Sequence, residues 1–202
     1  MLAACGSNAD MTPASAVNKV SSSVAAPASA CPSAMPQSGG TPEWTLRGAT
    51  GSVSVTGPTA TTAPLIEVDA PFSVTQTQVY ALQAGDGPVV TPPASVSLCV
   101  MEVNGRTGSV NWVVSSYDHD EGGMTHEGRG VIQMPLNREV PIPKAIVGQR
   151  VGSTVGVAFA PVAGETDGPQ GSGGRRAGDS DIVVIKILGV TPCISNDDPQ
   201  CY

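Results

Sequence analysis

The sequence predicts an α+β domain: a curved antiparallel sheet of roughly five to six strands wrapping one short helix. Three observations lead there. From Trp44 onward, short β-rich runs alternate with Gly, Pro, Asn and Asp turn signals. Only residues 141–147 carry helix signals. The two most apolar runs, residues 151–159 and 182–188, read as central strands.

Each element has its own local warrant. Residues 52–56 alternate polar and apolar side chains, and residues 65–68 form a short strand that stops before Asp69-Ala70-Pro71. Residues 72–82 make a long alternating run, which Gly85-Asp86-Gly87 turns. Residues 96–103 follow, and Asn104-Gly105-Arg106-Thr107-Gly108 supplies a hairpin turn, so residues 109–116 are expected to return as the partner strand. Residues 129–134 read as a weaker strand before Pro135. The helix opens on Pro141 and Pro143, which suit a first turn, and stops at Gly148. At about seven residues it cannot be stable alone and must pack on the sheet. Residues 165–180, rich in Gly and charge, read as a mobile loop between the last two strands.

Composition limits the function. Among 202 residues, Gly (24) and Pro (18) favour turns and extended chain over long helices. Aromatics are 3% and charged residues 13%, so the core must come from Val, Ile, Leu and Ala. A net charge of -7 argues against a nucleic-acid partner, whose phosphates need a basic face. Arg175 and Arg176 are adjacent, but inside a Gly-rich stretch that reads as a solvated loop. No run of about twenty apolar residues exists to span a membrane.

The N-terminus suggests an anchor instead. Met1-Leu2-Ala3-Ala4-Cys5 resembles the Leu-Ala-Ala-Cys signal at which bacterial lipoproteins are cut and acylated. The basic and apolar segments that normally precede it are missing, so either the true start lies upstream or the signal has been trimmed. The expectation is a lipidated Cys5 in residues 1–5, a Ser/Ala/Pro-rich disordered tether over residues 6–43, a domain over residues 44–190 and a tail over residues 191–202. About 36 tether residues would reach on the order of 30–35 Å. With Cys5 set aside, Cys31, Cys99, Cys193 and Cys201 remain. Cys193 and Cys201 bracket a polar, turn-forming stretch and could close a small loop in an oxidising compartment. Cys99, in an apolar run, reads as a small buried hydrophobe. The spacings fit no zinc site.

One stretch carries more family information than any other. Lys144-Ala145-Ile146-Val147-Gly148-Gln149, followed by Val151-Gly152-Ser153, resembles the helix end and next strand of FKBP-type peptidyl-prolyl isomerases. The Gly85-Asp86-Gly87 turn is similar to that of secreted or lipid-anchored FKBP-like domains of actinobacteria. Val103-Asn104 with Thr107-Gly108, then Ser115-Ser116-Tyr117, Pro161 and residues 182–188 continue the resemblance in order, over roughly residues 72 to 190.

The resemblance implies a pocket between helix and sheet. It places Val100, Val113, Val114, Ile142, Ile146, Val184 and Tyr117 as its apolar lining, with no catalytic residue and no cofactor. Aliphatic residues stand where the family has rings: Val100 near a Tyr, Val113-Val114 at a Phe-Asp pair, Val184 at a Phe. Residues 138–142 replace the family's Val-Ile-Pro-Gly-aromatic helix entry, and the loop after Pro161 has no Tyr. Trp112 and Phe159 could refill part of the space.

Other constellations are weaker. Asp118-His119-Asp120-Glu121 with His126-Glu127 is the densest set of potential metal ligands, but reads as a solvated loop, and no metal is assigned. Ser153 lacks the spacing of a nucleophile elbow, and residues 168–174 lack the ending of a phosphate-binding loop. Three readings stay open. One is a monomeric, lipid-anchored extracytoplasmic domain binding Pro-containing or unfolded segments of exported proteins, with weak or absent isomerase activity. The others are an active isomerase with an aliphatic pocket and a structural surface lipoprotein without ligand.

Overall fold

A computed structural model describes residues 30–35, 40–111, 114–121, 123–136, 141–162 and 176–193. Its strands are β1 (Trp44–Arg47), β2 (Thr50–Thr56), β3 (Leu65–Ser73), β4 (Gln78–Gln83), β5 (Ala94–Asn104), β6 (His119–Glu121), β7 (Met124–His126), β8 (Ile132–Pro135), β9 (Thr154–Phe159) and β10 (Asp181–Pro192). The single helix among the described residues is α1 (Pro141–Ile146).

The main sheet has five antiparallel strands in the order β4-β9-β10-β5-β8, and α1 packs on one of its faces. This is the expected class, a sheet wrapping one short helix. Ile185 lies opposite Val100 on β5 and Val155 on β9, which sets β10 at the centre. Strand periodicity sorts its side chains. Val183, Ile185 and Ile187 join Leu98, Val100, Val155, Val157 and Ile146 in the core under the helix. Ile182 and Val184 point the other way. Burial on both faces is why this strand reads as continuously apolar.

The second face is covered by a separate three-stranded sheet, β1-β2-β3. Trp44, Val53, Val55 and Phe72 from that sheet meet Ala158, Ile182 and Val184. The early strands expected in one sheet thus form a layer of their own. The run 72–82 divides between the two sheets: Phe72 and Ser73 end β3, and β4 begins at Gln78. Alternation persists through both halves, so it cannot reveal that the pairing partner changes.

The described residues of 109–116 do not form the expected strand. Asn104-to-Gly108 does turn the chain, with the Gly108 N–H donating to the Asn104 carbonyl (2.8 Å). Beyond it, among the described residues, Val110 alone forms a bridge to β5, at Val103. Backbone bonds to β5 persist, from the Asn111 N–H to the Glu102 carbonyl (2.8 Å) and from the Ser116 N–H to the Val100 carbonyl (2.7 Å), and side chains add to them. The Val100 N–H donates to Ser116 Oγ (2.9 Å), and Asn111 Nδ2 donates to Glu102 Oε1 (2.8 Å). Asp118 to Glu127, expected as a loop, contains the β6–β7 hairpin, with His119 opposite His126. Asp118 Oδ1 accepts the Gly128 N–H at its base (2.8 Å).

α1 ends as its sequence dictates. Gly148 takes φ 85°, a conformation costly for any residue with a Cβ. Its N–H donates to the Val90 carbonyl (2.9 Å), while the Val90 N–H donates to the Gln149 carbonyl (2.8 Å). The helix is thereby fastened to the chain that follows β4. No described helix is long and apolar enough to cross a membrane.

Cys99 corrects the sequence reading. It is fully buried, but as half of a disulfide to Cys31, 68 residues away. Ala34 pairs with Thr62 close by, and its carbonyl accepts the Ala63 N–H (2.9 Å). The chain therefore attaches to the domain before Trp44, inside the stretch read as tether. Cys193 is also disulfide-bonded, while Cys201 and Cys5 lie outside the described residues.

Candidate functional site: a hollow beside the short helix

A six-residue helix is about 9 Å long, whereas the strands beneath it run for roughly 20–40 Å. α1 therefore cannot roof the whole face. Where it stops, a hollow of about 610 Å³ opens over the ends of β4, β9, β10 and β5. Val79, Phe159, Ala160 and Val162 form one side, and Pro141, Ile142 and Ala145 of α1 form the other. Val79 and Val162 stay 48% and 54% exposed at its rim. Phe159 is the one ring among the lining residues.

Four polar residues complete the wall: Thr77, Glu102, Lys144 and Asp181. Thr77 Oγ1 accepts the Ala160 N–H (3.1 Å), pinning the end of β9. Glu102 is opposite Val183, and Asp181 is opposite Asn104, so the two carboxylates are diagonal neighbours on the helix-facing side. Asp181 is only 4% exposed.

A second polar group holds this end of the sheet together. Asp179 forms an ion pair with Arg106 (Oδ1 to Nε, 3.0 Å). It also accepts Asn104 Nδ2 (2.9 Å) and the Arg176 N–H (2.8 Å). Burial alone would raise the Asp179 carboxyl. The Arg176 N–H, Asn104 and Arg106 outweigh it and hold the group below its ordinary range.

The residues expected from sequence do not all meet here. Ile142 lines the hollow. Ile146 and Val100 face the same side but are sealed in the core next to it. Val184 lies on the opposite face, against the three-stranded sheet. Tyr117 is buried with Cys99 and Met101 in a third cluster, where loss of hydration pushes its phenol well above the usual range. Val114 is half-buried and does not line the hollow, and Val113 lies outside the described residues, as does Trp112.

Glu102, Asp181, Val79 and Val162 were not singled out from sequence. The signal for the first two was present. Side chains alternate along a strand, so a one-residue offset exchanges faces. Taking Val183 as the helix-facing residue of β10 brings Asp181 to the same face, and Val100 on β5 brings Glu102.

No family model and no curated protein sequence matches the chain. Similar solved structures include the three FKBP domains of wheat FKBP73, at 15% identity over 61% of this chain and 48% of that one (TM-score 0.45). FkpA from Escherichia coli is similar at 13% identity over 57% of this chain and 48% of that one (TM-score 0.40). The N-terminal domain of FKBP42 from Arabidopsis thaliana is similar at 10% identity over 57% and 87% (TM-score 0.43). The chain spans about half the length of the wheat and E. coli chains.

Proposed function

We propose that this is an FKBP-like domain of a lipid-anchored, extracytoplasmic protein that binds Pro-containing or unfolded segments of exported proteins, with weak or absent isomerase activity. The observation that carries the reading is the open apolar hollow beside α1, with Val79 and Val162 exposed at its rim. The motif around Lys144 to Ser153 and the one-helix, five-stranded layout support the FKBP-like assignment. The Cys31–Cys99 disulfide supports an oxidising compartment, where such bonds persist. The anchor is an acylated Cys5, and the domain works as a monomer without cofactor.

The weak activity follows from the walls. Rotating an Xaa–Pro bond faces a barrier of roughly 18–20 kcal/mol, and no proton has to move. A catalyst must hold the twisted imide better than either planar form. Aromatic walls define such a shape with little loss of side-chain freedom. Here Phe159 is joined by Val, Ile, Ala and Pro, which keep the site apolar without fixing that shape. Each 1.4 kcal/mol or so of lost discrimination lowers the rate about tenfold.

A protease-coupled assay on Xaa–Pro peptides at high protein concentration tests this. Binding of the peptides with little acceleration is expected. Strong acceleration, blocked by the macrolide inhibitor of the family, would establish the active isomerase instead.

A further inference from the structure

We infer that the hollow selects Pro-containing segments that carry a Lys or Arg next to the residue it encloses. This inference rests on the proposed binding role and adds the charge of the ligand to it.

Glu102 and Asp181 project from neighbouring central strands, with backbones roughly 7–8 Å apart along the diagonal. Both line the same apolar cavity. Strand pairing fixes their positions before any ligand arrives. Glu102 is further held by Asn111, whose Nδ2 donates to Oε1 at 2.8 Å. Its carboxylate retains acceptor capacity beyond that bond. Lys144, the one cation in the lining, already has an interaction of its own, as does Asp181.

The occupant must satisfy two demands together. The walls call for an apolar group, and a flank bearing a carboxylate would be repelled by Glu102 and Asp181. An ammonium or guanidinium beside the buried residue meets Glu102 with up to three or five donors, in the negative field that Asp181 adds to. The whole-chain charge of -7 adds attraction at longer range. Proline alone makes no use of the remaining acceptor capacity of Glu102. Proline beside a cation uses both halves of the site.

The experiment compares three unstructured peptides around one central Pro, flanked by Lys, Ala or Glu, titrated against the full domain by calorimetry. The Lys peptide should bind roughly fivefold tighter than the Glu peptide at low salt. The difference should collapse between about 0.02 and 0.5 M salt. Glu102→Gln, which keeps the size and the acceptor for Asn111, should reduce it to about twofold.

Equal binding of all three peptides would overturn the inference and leave the binding role intact. A preference that survives both high salt and Glu102→Gln would also overturn it. Failure of every peptide to bind would remove the binding role itself. The salt series uses the unaltered protein, so the test does not depend on the variant folding.

Discussion

Trp44 stacks on Tyr80 with ring centroids 5.9 Å apart and 4° between planes. Trp44 belongs to β1 of the three-stranded sheet and Tyr80 to β4, the edge of the five-stranded one. The pair therefore clasps the two layers at the edge strand that also brings Val79 to the hollow. Beneath the indole lies Gly156, where an added Cβ would sit 2.7 Å from Trp44 Cε3.

Trp44→Ala should therefore cost about 3–5 kcal/mol, the usual range for emptying a buried Trp site. Gly156→Ala should cost about 1–3 kcal/mol by overpacking against the ring. The double variant should be less destabilised than the sum of the two, because the clash needs the indole. Urea unfolding of the four proteins checks this. Additive losses would mean that the glycine does not make room for Trp44.

The Cys31–Cys99 bond closes a loop of 68 residues around strands of both sheets. On the chain-entropy scale such a link is worth about 4 kcal/mol. Cys31→Ser should lower unfolding stability by roughly that amount and expose the Cys99 thiol only on unfolding. Denaturant curves of the variant and the unaltered protein, both without reductant, measure it. An unchanged midpoint would show that the unfolded chain gains nothing when released.

Asp179 sets an acid limit. Its folded carboxyl titrates below the ordinary 3.8. The stabilisation is therefore fully present above that value and is lost as pH falls through the folded value. Stability should decline as pH falls below 3.8, and Asp179→Asn should flatten part of that decline. Urea midpoints across this range provide the test, with Arg106→Ala expected to act in the same direction more weakly.

The rim should matter for ligand and not for folding. Val79→Ser and Val162→Ser remove apolar surface that is already half exposed. Each should weaken binding of a Pro-containing peptide about two- to fivefold while changing stability by no more than about 0.5 kcal/mol. Calorimetry paired with thermal unfolding separates the effects. A loss of stability equal to the loss of binding would make these residues part of the core.

Much of the architecture was legible where local chemistry decides it. Pro141, Pro143 and Gly148 bracket the helix, and Asn104 to Gly108 turns the chain as read. What escaped the sequence was non-local. Whether residues 72–82 serve one sheet or two depends on partners at very different distances, Ser73 with Thr50 but Val79 with Val157. Cys99 looks like any small buried side chain until Cys31 is folded against it. The site was half legible for a similar reason. Ile142 follows from the helix register, but aligning the last strand on Val184 selected the wrong face of a period-two element. Glu102 and Asp181 are invisible to an apolar pattern, which assigns the walls to aliphatic residues alone.

The most direct test is an amide chemical-shift titration of the domain with an unstructured Pro-containing peptide. Shifts concentrated at Thr77, Val79, Ile142, Phe159, Ala160 and Val162, with Val184 and Tyr117 unmoved, are the predicted result. Shifts confined to the three-stranded sheet, or none at saturating peptide, would contradict a binding site beside the helix.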